Sequence, residues 1–472
     1  MTARQTENQA APPVPSPTSE GHPRSREMLV LMSLCVGTLQ AMAAAMNLAI
    51  PSLAHSSLHP GPTALVWIVD AYLIAFACLL IPGGALADRL GRKGVLLTGL
   101  GLFTGGSALA ASAGSVPLLI AGRLVAGAGA ALALPVTLGL LMLLFPPARR
   151  PHAVATWTAS LAAGGILGNV VGGVVLQYLP WQGLFVVFGA AGALLATVTA
   201  LRAPRTPRRP VPLDAPGSVL LAAAIVALIH GLIEGRERGW TSGWVLGSVA
   251  AAAVLTLAYV LLGLRRRHPL LDPRVFALRP LRAGTLGVTV AFAGAFAMFY
   301  VNAQYLTVAH GYSLAMAGFA LAPIAVAMGL ASRSSTALVR RWGARRVVAL
   351  GFSALVAGLA AFSLVGAGTP YALYILCPAL ALAGIGVALP PLSGGIMAAL
   401  PAERAGMGSG VNGAAREVGS AVGVAAMGTA LGTNTAGSGV SAAALSGAMD
   451  SGFRVIALAV AVAAVLVVRW MD

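Results

Sequence analysis

The chain has 472 residues, 58% of them hydrophobic and only 9% charged, with a mean hydropathy of +0.86. Soluble domains carry about 25% charged residues, so a water-soluble enzyme or binding module is excluded for most of the length. The formal net charge is +17, yet the basic residues, all arginine except Lys93, sit in short clusters between long apolar runs, which excludes a nucleic-acid surface.

Residues 1–27 are polar and rich in Pro, Ser and Ala; they read as a disordered tail rather than a cleavable leader. From Met28 onward, fourteen apolar stretches reach the length of about 20 residues that spans a bilayer as a helix. They are 28–50, 64–84, 94–113, 116–138, 152–176, 182–201, 215–234, 244–264, 281–303, 312–333, 347–366, 370–396, 405–428 and 453–470. An all-α polytopic membrane protein is therefore expected. Cys35, Cys78 and Cys377 each fall inside such a run and read as small buried hydrophobes.

An even number of spans puts both termini on one side. With that side cytoplasmic, 24 of the 30 basic residues face inward, against three outward (Arg236, Arg238 and Arg454), as the positive-inside rule requires. The loop after the second span, Leu86-Ala-Asp88-Arg89-Leu-Gly91-Arg92-Lys93, aligns without gaps with Leu338-Val-Arg340-Arg341-Trp342-Gly343-Ala-Arg345 after the tenth. Two six-helix halves, 28–201 and 281–472, are thus expected. Basic linkers and an inserted hairpin occupy 202–280, an organisation typical of secondary transporters.

The stretch Gly84-x-Leu86-Ala87-Asp88-Arg89-x-Gly91-Arg92-Lys93 is the most specific signal in the chain. Gly91 permits a tight bend, and Asp88 can cap a helix end and pair with arginine. Here the chain resembles the major facilitator superfamily, whose signature loop this is; the resemblance implies a latch between the halves, a gate built from Gly84, Asp88, Arg89, Gly91, Arg92 and Lys93. Fourteen spans, Trp67-Ile-Val-Asp70-Ala-Tyr72 in the second and Ser409-Gly410-x-Asn412 in the thirteenth are similar to the drug:proton antiporter branch, which includes actinobacterial antibiotic exporters. The resemblance covers roughly residues 28–430. It implies no cofactor, the proton-motive force as energy source, and export of a small hydrophobic or cationic molecule by a monomer in the cell membrane.

Charged residues inside the bilayer need a partner or a water-filled cavity. Asp70 and Arg123 lie at matching depths, about 7.5 and 10 Å from the outer surface at 1.5 Å per residue. They form either a proton-coupling site or a static ion pair. Arg416 and Glu417 lie near the midplane, with Glu417 the second proton-site candidate and a structural salt bridge the alternative. Gly164, Gly168 and Gly172 form a stripe suited to close helix packing. Asn169, where the branch carries proline, must find a polar partner or line the cavity. Gln40 and Asn47 of the first span are expected to line the substrate cavity; Gln40 stands where the branch carries a titratable Asp, which puts the coupling mechanism in question. The ninth span ends Phe296-x-x-Phe299-Tyr300-Val-Asn302-Ala-Gln304-Tyr305, which offers aromatic faces and amides to a substrate or forms an interfacial belt. There is no metal spacing, nucleophile triad or phosphate loop, and the outward loops are short; transport rather than catalysis is the expected role. A facilitator or proton-coupled importer on the same fold is the alternative.

Overall fold

In the computed structural model, residues 24–206, 214–266, 269, 271–401, 405–435 and 442–471 are described. They form helices joined by short turns, and no strand occurs among them. Most of the 1–27 tail lies outside the described residues, and the first helix already begins at Ser25.

The first six helices are α1 (Ser25–Ala54), α2 (Pro62–Leu90), α3 (Arg92–Ala111), α4 (Val116–Leu144), α5 (Arg150–Tyr178) and α6 (Gln182–Arg202). They pack chiefly on one another around a shared core. Next come α7 (Ala215–Arg238) and α8 (Gly243–Arg265), an antiparallel hairpin. The second half comprises α9 (Arg279–Val308), α10 (Leu314–Ala320), α11 (Ala322–Trp342), α12 (Ala344–Ser363), α13 (Tyr371–Tyr374), α14 (Leu376–Ala398), α15 (Ala405–Thr435) and α16 (Ala442–Trp470). It has its own core. Two expected spans are each split in two. Leu321 interrupts the tenth and Ile375 the twelfth, next to Pro323 and Pro378, which supply no backbone N–H to the preceding turn.

Among the described residues, thirteen helical segments are long and apolar enough to cross a membrane. The thirteenth expected span, α15, is a 31-residue helix that does not reach that apolarity, because it carries Asn412, Arg416, Glu417 and many glycines and serines. A helix this polar needs protein around it rather than lipid. It packs against α9, α2, α16, α4 and α7.

Since lipid is as apolar as leucine, helix association in a bilayer depends on close packing. The two halves use the same device. A Cβ on Gly164 or Gly168 of α5 would lie 2.5 or 2.2 Å from the carbonyl oxygens of Gly37 and Ala41 on α1. On α15, a Cβ at Gly419 or Gly423 would lie 2.1 Å from the carbonyl oxygens of Thr289 and Ala293 on α9. Gly172 continues the α5 stripe against Ala45. The repeat also appears in the turns: Gly91 between α2 and α3 has φ 94°, and Gly343 between α11 and α12 has φ 80°, conformations that side-chain-bearing residues rarely adopt.

The halves meet along two seams, α2 and α4 with α15, and α5 with α10, α11 and α14. The hairpin does not stand apart. Its α7 lies over the α2–α15 seam, with Ile225 and Ile229 packed on Ala77 and Ala421. Asp214 caps α7 through Gly217 N at 3.0 Å and pairs with Arg266 at 2.8 Å, fastening both ends of the hairpin together.

Candidate functional site: a latch and a buried charge cluster

One end of the bundle gathers the arginine-rich turns. There Arg92, 4% exposed, donates through Nε and Nη2 to Asp88 Oδ1, at 3.3 and 2.9 Å, and through Nη1 to the Gly139 carbonyl at 2.6 Å. Lys93 donates to the carbonyls of Ala200 and Ala203, and thereby neutralises the carbonyl end of α6. The other Asp88 oxygen crosses to the second half, where it accepts from the backbone N–H of Met407 at 3.1 Å. Met407 is in the first turn of α15, so Asp88 caps that helix from the opposite half, with its charge on the positive end of the helix dipole. Close packing extends this contact: a Cβ on Gly410 would lie 2.7 Å from the Leu80 carbonyl oxygen, and Ser332 of α11 donates to Ala155 of α5 at 3.1 Å. Gly84 is buried and Arg89 half-buried in the same turn region. The corresponding turn of the second half has Arg340 in the place of Asp88, so the latch is built on one repeat only.

Deeper in the bundle, Arg123 is 1% exposed and fixed against α2. It donates from Nε to Ile68 O at 2.9 Å and from Nη2 to Val69 O at 3.2 Å, while its guanidinium lies 4.6 Å from the Tyr72 ring. Asp70 is half-buried within electrostatic reach of Arg123, so the expected neighbours do meet. The arginine's hydrogen bonds nevertheless include two backbone carbonyls, which the sequence did not suggest. Tyr72 donates to Leu39 O at 3.1 Å, next to the half-buried Gln40. Gly127 makes this contact possible, since a Cβ there would lie 2.3 Å from the Tyr72 carbonyl oxygen.

From the other half, Glu417 is half-buried and acts electrostatically on Tyr72 and on its neighbour Arg416. The Arg416 side chain, 4% exposed, lies between aromatic rings from both halves, 4.6 Å from Phe292 and 5.8 Å from Trp157. Trp157 is held by its own bond to Thr137 Oγ1 at 2.9 Å. The four charges read from the sequence therefore gather around the seam of α2, α4, α5, α9 and α15.

The aromatic and amide run of α9 divides between two faces. Phe292, Phe296 and Phe299 form a stripe, with ring centroids 6.1 and 5.5 Å apart, that leads away from Arg416. Tyr300 and Gln304 are half-buried beside it. Asn302 and Tyr305 turn instead into the packed interior of the second half, fully buried. Asn302 accepts from Tyr374 at 2.8 Å, and Tyr305 stacks on that same ring at 4.7 Å. Those two serve packing because a contiguous run wraps around the whole helix and only one side can face a cleft. Asn169 is half-buried on α5, opposite Gly318 of α10. The side chain of Asn47 lies outside the described set. Sequence reasoning missed Trp157 and Phe292; the i, i+4, i+7 spacing of Phe292, Phe296 and Phe299 was the available signal.

The sequence model of the Major Facilitator Superfamily matches residues 30–424. The cephamycin export protein CmcT of Amycolatopsis lactamdurans is 33% identical over 425 residues, 88% of this chain and 87% of that one. The tetracenomycin C resistance and export protein of Streptomyces glaucescens is 30% identical over 413 residues, 86% and 76% of the two chains. Among solved structures, the human organic anion transporter MFSD10 superposes with a TM-score of 0.65 at 18% identity, over 94% of this chain and all of the other, a likeness of fold. With the Asp88 turn and these matches together, the chain belongs to the major facilitator superfamily.

Proposed function

We propose that this protein is a secondary transporter that exports small amphiphilic molecules, drugs or antibiotics, across the cell membrane in exchange for protons. It works without a cofactor, as a monomer with both termini in the cytoplasm. The names of the cephamycin and tetracenomycin C relatives support direction and substrate class. The basic turns support the orientation, which puts the Asp88–Met407 latch on the cytoplasmic side.

The observation that carries the reading is the half-burial of two carboxylates, Asp70 and Glu417, beside two buried arginines at the seam between the halves. In the latched state the cytoplasmic side is closed and the carboxylates take protons from outside. Release of Met407 from Asp88 lets the halves part inside, where the carboxylates are rehydrated and give their protons up.

The test is substrate efflux into inverted membrane vesicles under an imposed pH gradient. Asp70→Asn is expected to abolish gradient-driven accumulation while substrate binding persists, with a smaller or substrate-dependent loss for Glu417→Gln. If Asp70→Asn still concentrates substrate, Asp70 is structural and Glu417 takes over the role. Gln40, which cannot titrate, favours a second reading, a facilitator or importer; wild-type flux that only runs down the substrate's own gradient, whatever the imposed pH gradient, would support it.

A further inference from the structure

Among the described residues, Arg92, Arg123 and Arg416 are almost fully buried, and they differ in what their nitrogens meet. Arg92 is bonded through all three to Asp88 and Gly139. Arg123 is tied through two to α2 carbonyls, and its Nη1 is buried without a hydrogen-bond partner. Arg416 has two such nitrogens: Nε and Nη1 are both buried without a hydrogen-bond partner, with the Phe292 and Trp157 rings 4.6 and 5.8 Å from its guanidinium. Buried guanidinium donors are ordinarily satisfied, and an arginine inside a membrane with open donors marks a place where something else arrives to accept from them. The neighbouring rings offer the group no acceptor, so its Nε and Nη1 donors stay open. Trp157 cannot compete for the incoming acceptor, because its indole N–H is already given to Thr137.

From this edge the stripe Phe292, Phe296, Phe299 runs along α9, with Phe299 38% exposed at the far end. Seven residues of helix span about 10 Å, the length of two or three fused rings. We propose that Arg416 anchors a binding site for a planar aromatic acid in its anionic form, the carboxylate accepting from the free guanidinium nitrogens and the rings lying along Phe292, Phe296 and Phe299. Charge-assisted bonds from arginine to carboxylate supply the specificity, and the apolar stripe supplies the contact area. The proposal rests on the reading that the cleft between the halves is the substrate path, and it replaces a generic amphiphile with an acidic one.

The charged groups around the site are Glu417 on the same helix, with Asp70 and Arg123 across the seam. Glu417 acts on Arg416 and is the natural competitor of the ligand carboxylate. Neutralising it leaves Arg416 free for the ligand.

The experiment is equilibrium binding to the purified full chain in detergent, without a pH gradient, with anthracene-2-carboxylate and its methyl ester followed by fluorescence. The wild type is expected to bind the acid at least tenfold more tightly than the ester, where tenfold corresponds to about 1.4 kcal/mol. Arg416→Gln should remove that preference while keeping ester affinity, which also reports that the variant is folded. Arg416→Lys should keep part of it, and Glu417→Gln should raise acid affinity severalfold. Equal binding of acid and ester to the wild type, which needs no variant, overturns the proposal, as does a preference that survives Arg416→Gln. If neither probe binds, the Arg416 site is overturned, while the export reading stands or falls on the vesicle assay alone. Because no gradient is involved, a failure of proton-driven efflux leaves this result standing, and the converse also holds.

Discussion

Asp88→Asn separates what holds a half together from what holds the two halves to each other. The Asp88–Arg92 pair lies within the first half, four residues apart with side chains 13% and 5% exposed, and it persists whichever way the cleft opens. Losing it costs folding stability but does not bias the conformational equilibrium. The bond from Met407 N–H to Asp88 is the contact of this side chain that crosses the seam, so it is the one the substitution weakens in the latched state. Asparagine can still accept from Met407, so the loss is the charge component against the first turn of α15. Helix-end charges in partly buried sites contribute up to about 2 kcal/mol, and a hydrogen bond to a charged group exceeds a neutral one by about 1 kcal/mol. A shift of about 1–2 kcal/mol multiplies the unlatched fraction roughly 5- to 30-fold. Ser409, 1% exposed and two residues beyond Met407, reports it: a Ser409→Cys thiol should react with a cytoplasmic-side maleimide roughly 5- to 30-fold faster when Asp88→Asn is added. Expression should persist while transport drops severely. Unchanged reactivity together with normal transport would refute the reasoning and reduce the turn to a topology signal.

Gly423→Ala should lower thermal stability by about 1–3 kcal/mol, because the new methyl would meet backbone rather than a flexible side chain. Gly165→Ala, with nothing within 4 Å, is the matched control and should melt like the wild type. Tyr72→Phe removes the bond to Leu39 but keeps the ring beneath Arg123; stability should fall by about 1 kcal/mol while gradient-driven efflux continues, unlike Asp70→Asn. In whole cells, an impermeant thiol reagent should reach a cysteine introduced near Gly437 and not one near Pro207, and the reverse pattern would invert the topology.

The arrangement of helices was readable because burial in lipid imposes a strong length and composition rule, and the buried charges stood out because they are rare in such runs. Gly91 and Gly343 were readable in the repeat because a positive φ strongly favours glycine. The other end of the latch was not readable, since a backbone N–H 319 residues away has no side-chain signature. Nor was the division of the α9 run, where Asn302 and Tyr305 share composition with Phe299 and Gln304 but differ in angular position. The polarity of α15 looked like an ordinary span with two charges; its packing against both halves explains why a helix that polar is tolerated.

The central claim is obligatory exchange of substrate for protons. It is tested most directly with purified protein reconstituted in liposomes holding a pH indicator, with equal pH on both sides and an outward gradient of an exported, non-titrating substrate as the sole driving force. Exchange predicts that the interior acidifies as substrate leaves, in proportion to the flux, and that Asp70→Asn abolishes the pH change. Substrate efflux at full rate with no proton movement would contradict the account and establish a facilitator.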